Sequence, residues 1–259
     1  MDLKVALPHL LFLAAALPLA GVLLNAAPRA YVETFDHGPG GWYADRRYAL
    51  PVWDGVAYCH GPWWLDSNHA PPGAGYLHLV MWLYTSAKHY QEDNEYNRSL
   101  PYRGSRFAEE GHSTNLTNAR MTVRLRGAVD LQGAQLLLLI QGKTDKTTPN
   151  FVLTGQPFRV TRDWSDQTVV LRPDPKQWTC LGARHDMVHE YGCDDVAKLL
   201  RDVNLDIILA LFPLKIVPLS KDIKDLHRTR AGQAYPVDIE ALPKGLIMFD
   251  TVKIEYPNR

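Results

Sequence analysis

Net charge is the first thing this chain lacks. Across 259 residues, 28 lysines and arginines stand against 28 aspartates and glutamates. A chain with no basic surplus is poorly equipped to grip phosphate backbones, so nucleic acid is not expected as a partner. No repeat recurs at a solenoid or propeller period. No Gly/Ser/Pro-rich linker divides the sequence, which points to one large domain. The short motifs of several enzyme classes are also missing. There is no G-x-S-x-G, no P-loop and no G-x-G-x-x-G, and His189-Glu190 has no second histidine to complete H-E-x-x-H. The adjacent carboxylates Glu109-Glu110 and Asp194-Asp195 read as surface charge or as complements to a helix start. Cysteine is scarce, with three residues: Cys59, Cys180 and Cys193.

What is present begins with Val5 to Leu24, an almost wholly apolar run preceded by Lys4 and followed by small residues at Asn25-Ala26-Ala27. This is the pattern of a secretory signal peptide. The run is also about long enough to span a bilayer, so an uncleaved anchor is the alternative. No cysteine stands near its end, which argues against a bacterial lipoprotein anchor. The expected organisation is therefore a leader or membrane anchor over residues 1–30 and a folded domain over 31–259. The protein is expected to be periplasmic or secreted, or held to the membrane by that first segment alone.

The folded part reads as strands. Met121, Val123 and Leu125 alternate with Thr122, Arg124 and Arg126, a period of two. Leu136 to Ile140 is short and apolar on both faces, as a central strand would be. Strands are also expected over Tyr31–Phe35, Gly75–Thr85, Thr168–Leu171, Leu205–Phe212 and Leu246–Tyr256. Over Gly75–Thr85 the alternation predicts Leu77, Leu79, Met81 and Leu83 on one face, with Tyr76, His78, Val80, Trp82 and Tyr84 on the other. Val196–Asp202 reads as a short helix capped by Asp194 or Asp195. Strands of this spacing, broken by turns, predict an all-β antiparallel sandwich with one or two short helices. Residues 88–117 read as a long polar loop in which Glu92, Asp93 and Glu95 form an acidic cluster. Asn97 and Asn115 fit the glycosylation sequon.

Three stretches carry candidate chemistry. Cys180 and Cys193 lie in C-x4-H-x3-H-x3-C with His185 and His189, ligand types that zinc accepts. In an exported chain a disulfide between the two cysteines is the other natural reading, and two free thiols are the third. Trp53, Trp63 and Trp64 sit among glycine and proline in an irregular segment. They either cover the end of the core or form a stacking platform, because the C–H face of a sugar fits an indole. The Tyr76, His78 and Trp82 face either lies under a loop or lines a groove.

The motifs ETFD with GGW, GAGYLHL, VTRDWSDQTVVL and LPKGLIMFDTVKIEY occur in an order that resembles the galactose-binding-like jelly rolls, among them carbohydrate-binding modules. The resemblance spans most of Val32–Tyr256 and places Trp164 in a threonine-x-x-tryptophan motif before a strand. It implies a jelly-roll β-sandwich and a glycan or polysaccharide as ligand, without turnover. It also implies a structural calcium at Glu33 and Asp250, and sugar contacts through Tyr76, His78 and Trp82 with Arg124 and Gln141, or through Trp53, Trp63 and Trp64. Two alternatives are carried forward. One is a jelly-roll glycoside hydrolase or polysaccharide lyase using His78, Tyr84 and Arg124. The other is a structural envelope module that meets another protein.

Overall fold

The computed structural model describes residues 29–44, 48–66, 76–93, 95–182, 191–215 and 238–257. The first strands in chain order are β1 (Ala30–Glu33), β2 (Trp42–Tyr43), β3 (Val52–Trp53), β4 (Val56–His60), β5 (Trp64–Asp66), β6 (Tyr76–Tyr84) and β7 (Arg120–Asp130). They are followed by β8 (Gln135–Gln141), β9 (Thr148–Val152), β10 (Ser165–Val170), β11 (Thr179–Cys180), β12 (Tyr191–Gly192), β13 (Asp206–Leu214) and β14 (Lys244–Glu255). Short helices run over α1 (Ala87–Gln91), α2 (Glu95–Arg98), α3 (Arg106–Glu109) and α4 (Val196–Arg201).

The strands form an all-β sandwich of two sheets. One sheet runs β10-β7-β14-β4-β3, with β1 added on β14; the other runs β11-β9-β8-β13-β6-β2, with β5 on β6 and β12 on β9. The main core lies between them. Met121, Val123 and Leu125 of β7 and Phe249, Val252 and Ile254 of β14 face Leu136, Leu138 and Ile140 of β8 and Ile207, Leu209 and Leu211 of β13. The leader expected over residues 1–30 falls almost wholly outside the described residues. Among those described, no helix is long and apolar enough to cross a membrane.

A second apolar cluster covers the outer face of the larger sheet. Tyr43, Leu77, Leu79, Trp82, Leu137, Leu139 and Ile208 lie in it together with Tyr90 of α1 and Leu100. Tyr43 is stacked between Trp82 and Tyr102, with ring centres 4.5 Å apart on each side. Its hydroxyl donates to the Tyr102 carbonyl at 2.8 Å. The expected 88–117 loop is therefore a lid of short helices. Their four or five residues are too few for helical periodicity to show in sequence.

The alternation expected along β6 is corrected by a bulge. Leu209 pairs with Met81 but Ala210 pairs with Leu79, which leaves Val80 as an extra residue. One extra residue inverts the faces on either side of it. Leu77 and Leu79 consequently join Trp82 and Tyr84 in the outer cluster, whereas Val80, Met81 and Leu83 enter the main core.

Cys180 and Cys193 form a disulfide with Cα atoms 5.7 Å apart. It closes a loop whose two ends, β11 and β12, both pair with β9. His185 and His189, the zinc alternative, lie outside the described residues. Cys59 is free and buried. Because strand pairing already restrains both ends, reduction or Cys180→Ser is expected to cost about 2 kcal/mol, the lower end for a loop of this size. Urea melts with and without reductant measure this. Superimposable curves would mean that the bridge adds nothing.

Candidate functional site

The outer face of the smaller sheet carries the candidate site. Its edge is built by the hairpin between β3 and β4, which turns through Asp54 and Gly55 at φ 51° and 69°. Positive φ at both loop residues matches the right-handed twist of the flanking strands, and Asp-Gly is the pair that tolerates it. The turn holds Trp53 opposite Val56 on the outer face, where Trp53 is 76% exposed.

Register then aligns two rows across the sheet. Met248 pairs with Arg126 on one side and Tyr58 on the other. Ser165 pairs with Leu125, which brings Trp164 opposite Arg126. The first row is thus Trp164, Arg126, Met248 and Tyr58, four strands wide, or roughly 14 Å at strand spacing. The Arg126 guanidinium lies over the Trp164 ring, 4.7 Å from its centre. The second row holds Asp166, Arg124, Asp250, Val56 and Trp53. Asp250 is the extra residue of a bulge on β14. Arg124 is 41% exposed and is held from both sides, by Asp166 at 3.4 Å and Asp250 at 3.3 Å. Ion pairs this exposed add little stability, but they hold the guanidinium in place. Below them Thr122 and Thr168 share a hydrogen bond of 2.7 Å.

The groups singled out in the sequence are distributed differently. Arg124, Asp250 and Trp53 share this face. His78 and Trp82 lie on opposite faces of β6, in the other sheet, because the extra residue Val80 inverts the faces between them, and each face is filled. His78 contacts the Trp63 ring at 6.0 Å, and Trp82 lies in the outer stack. Trp63 is buried in the main core. Gln141 is buried at the end of β8. The side chains of Trp64 and Tyr76 lie outside the described residues. The proposed partnership of Tyr76, His78 and Trp82 with Arg124 is therefore not assembled, and neither is the trio His78, Tyr84 and Arg124. His78 is 2% exposed, neither of its ring nitrogens has a hydrogen-bond partner among the described residues, and burial lowers its pKa to about 4. A neutral, enclosed imidazole cannot exchange protons with a substrate.

Glu33 and Asp250 do not converge on one cation position. Asp250 points outward to Arg124. Glu33 is fully buried, and its Oε1 accepts from the Phe35 amide at 3.0 Å and from Arg106 Nη1 at 2.9 Å. A guanidinium supplies the positive partner at Glu33. Gly40, at φ +58°, closes on the other oxygen, and a Cβ there would meet Oε2 at 1.6 Å. Burial raises the Glu33 pKa, with the Phe35 amide and Arg106 opposing the rise. Among the described residues no group of three or more His, Cys, Asp or Glu side chains could hold a metal ion. Within the acidic cluster, Glu92 contacts His89 and Lys143, and Asp93 contacts Arg98. Asn97, one of the two sequon asparagines, is buried, and its amide donates to the carbonyls of His89 and Glu92.

Sequence reasoning missed Arg126, Met248 and Tyr58 as site residues. Arg126 was readable as outward-facing, and Asp54-Gly55 as a hairpin, but the row itself exists only through register between distant strands. No protein-family model matches the chain, and no curated protein or solved structure matches it.

Proposed function

We propose that this is an exported protein that binds a carbohydrate without turning it over, using the outer face of the β10-β7-β14-β4-β3 sheet. The observation that carries the reading is the row Trp164, Arg126, Met248 and Tyr58, with Trp53 exposed at the hairpin edge. Rings and a thioether offer apolar contact to sugar C–H faces, and the neighbouring arginine, threonine and aspartate groups offer partners for hydroxyls. The site differs from the one expected on the β6 face, which is filled. The sequence resemblance to galactose-binding-like jelly rolls also favours a glycan, and the calcium implied by that family forms no part of this proposal.

A flat face with tryptophan, tyrosine, methionine and arginine also suits a protein partner. Here, however, the apolar band is one residue wide and is flanked by ion pairs, whereas a protein interface buries about 800 Å² per partner around an apolar centre. The glycan reading fits better.

Titration of the purified chain with a panel of soluble polysaccharides tests it. Trp53→Ala and Tyr58→Ala are each expected to weaken binding about tenfold, the scale of one lost stacking contact. Trp63→Ala and Trp82→Ala remove buried rings, so they are expected to lower the melting temperature and leave the affinity of the folded fraction intact. Binding of no glycan, or binding indifferent to both Trp53→Ala and Tyr58→Ala, would end the reading.

A further inference from the structure

We infer that the glycan is an acidic one, with a carboxylate or sulfate ester seated against Arg126. This rests on the glycan-binding reading and adds the charge of the sugar. On the outer face Arg124 is engaged by Asp166 and Asp250, and Lys253 by Glu255 at 2.7 Å. Arg126 differs from both. Its cross-strand neighbours are Trp164 and Met248, neither of which carries charge. Among the described residues Arg126 makes no ion pair, and its Nε is covered and has no hydrogen-bond partner.

The Trp164 ring does the positioning that a carboxylate does for Arg124. A guanidinium lying on an indole keeps its charge and is held in orientation. Its Nη groups are then the donors left for a planar or tetrahedral oxyanion, which accepts two parallel hydrogen bonds. A sugar bearing that anion lays its ring on the adjoining Tyr58 or Trp164 side of the row. The carboxylates of Asp166 and Asp250 lie one row away and repel an anion from the Arg124 position. The charged group is thereby confined to the Arg126 row. The arrangement makes an anion subsite at Arg126 on a chain of no net charge.

The test compares three soluble polymers on the whole chain: polygalacturonate, its carboxyl-reduced neutral form, and dextran sulfate. At least one anionic polymer is expected to bind about tenfold or more tightly than the neutral one, the scale of a charge-assisted hydrogen-bonded contact. Added salt is expected to erode that preference. The two anionic arms separate carboxylate from sulfate. Arg126→Met is expected to abolish the preference, whereas Trp53→Ala weakens all bound polymers alike. If neither anionic polymer binds more tightly than the neutral one, or Arg126→Met retains the preference, the acidic assignment is overturned and the glycan reading stands. Binding of none of the three, nor of any neutral glycan, overturns both. Should Arg126→Met fail to fold by circular dichroism, carboxyl reduction and salt dependence on the unmodified chain decide the matter.

Discussion

Arg106→Ala is expected to cost about 3–5 kcal/mol of unfolding free energy at pH 7, the scale for leaving a buried carboxylate without its cation. Glu33 is fully buried while the Arg106 side chain is 27% exposed, so the pair is enclosed on its acidic side. Arg106 also opens α3, and its amide donates to the Gly40 carbonyl at 3.0 Å. Ser105, the residue before it, accepts from the Ala108 amide and donates to the Tyr84 carbonyl at 2.6 Å. Loss of the guanidinium leaves the Glu33 carboxylate with backbone amides alone as donors, and among the described residues none of them reaches Oε2.

The sign with pH follows from Glu33. Burial already raises its folded pKa, and removing Arg106 removes a force that opposes the rise. The unfolded chain keeps an ordinary carboxyl, so stability is lost as pH climbs through and above the ordinary carboxylate range. The deficit of the variant is therefore largest at neutral pH and shrinks toward pH 5. Adding Glu33→Gln to Arg106→Ala is expected to recover most of the loss. Urea melts at pH 5 and pH 7 measure all of this. A deficit that is the same at both values would show that the cost is packing and not charge.

The second large effect is acid destabilisation through His78. Its folded pKa is lowered from 6.5 to about 4 by burial. Between those values the unfolded chain binds a proton that the folded chain refuses, so stability falls as the pH drops below about 6.5. Integrated to pH 4, this amounts to about 3 kcal/mol. His78→Leu removes the titration and also removes two buried nitrogens that have no partner among the described residues. Its stability at pH 7 is expected to be held or raised, because an unsatisfied buried polar group is costly. The measurement is the difference between the two stability–pH curves, since the other carboxylates contribute to both. Parallel curves from pH 7 to pH 4 would refute the assignment.

The sequence was readable wherever one face of a strand is core and the other solvent. β7 and the end of β14 fit that description, and their alternation placed Val123, Leu125, Val252 and Ile254 correctly inside. The Asp195 cap of α4 was readable because capping is local: its side chain accepts from the Ala197 amide at 2.9 Å. β6 was not, because it is buried on both faces. With no polar side to fix the phase, nothing in the sequence marked Val80 as extra. The lid over the larger sheet was read as a loop because its helices are short and its apolar residues, Tyr90, Leu100 and Tyr102, are scattered among charges. The choice of open sheet could not be read at all, because it depends on which sheet that lid covers. Trp53, Arg124 and Asp250 were named for reasons that did not place them together. Long-range pairing of four strands did so.

The pairing of β1 has a consequence for how the face is presented. Ala30 lies opposite Glu255, and Glu255 opposite Arg120, at one extremity of the sheet. Arg126 is six residues farther along β7, roughly 20 Å away at strand rise. The Trp164-to-Tyr58 row is thereby set well back from the edge at which β1 enters the sheet.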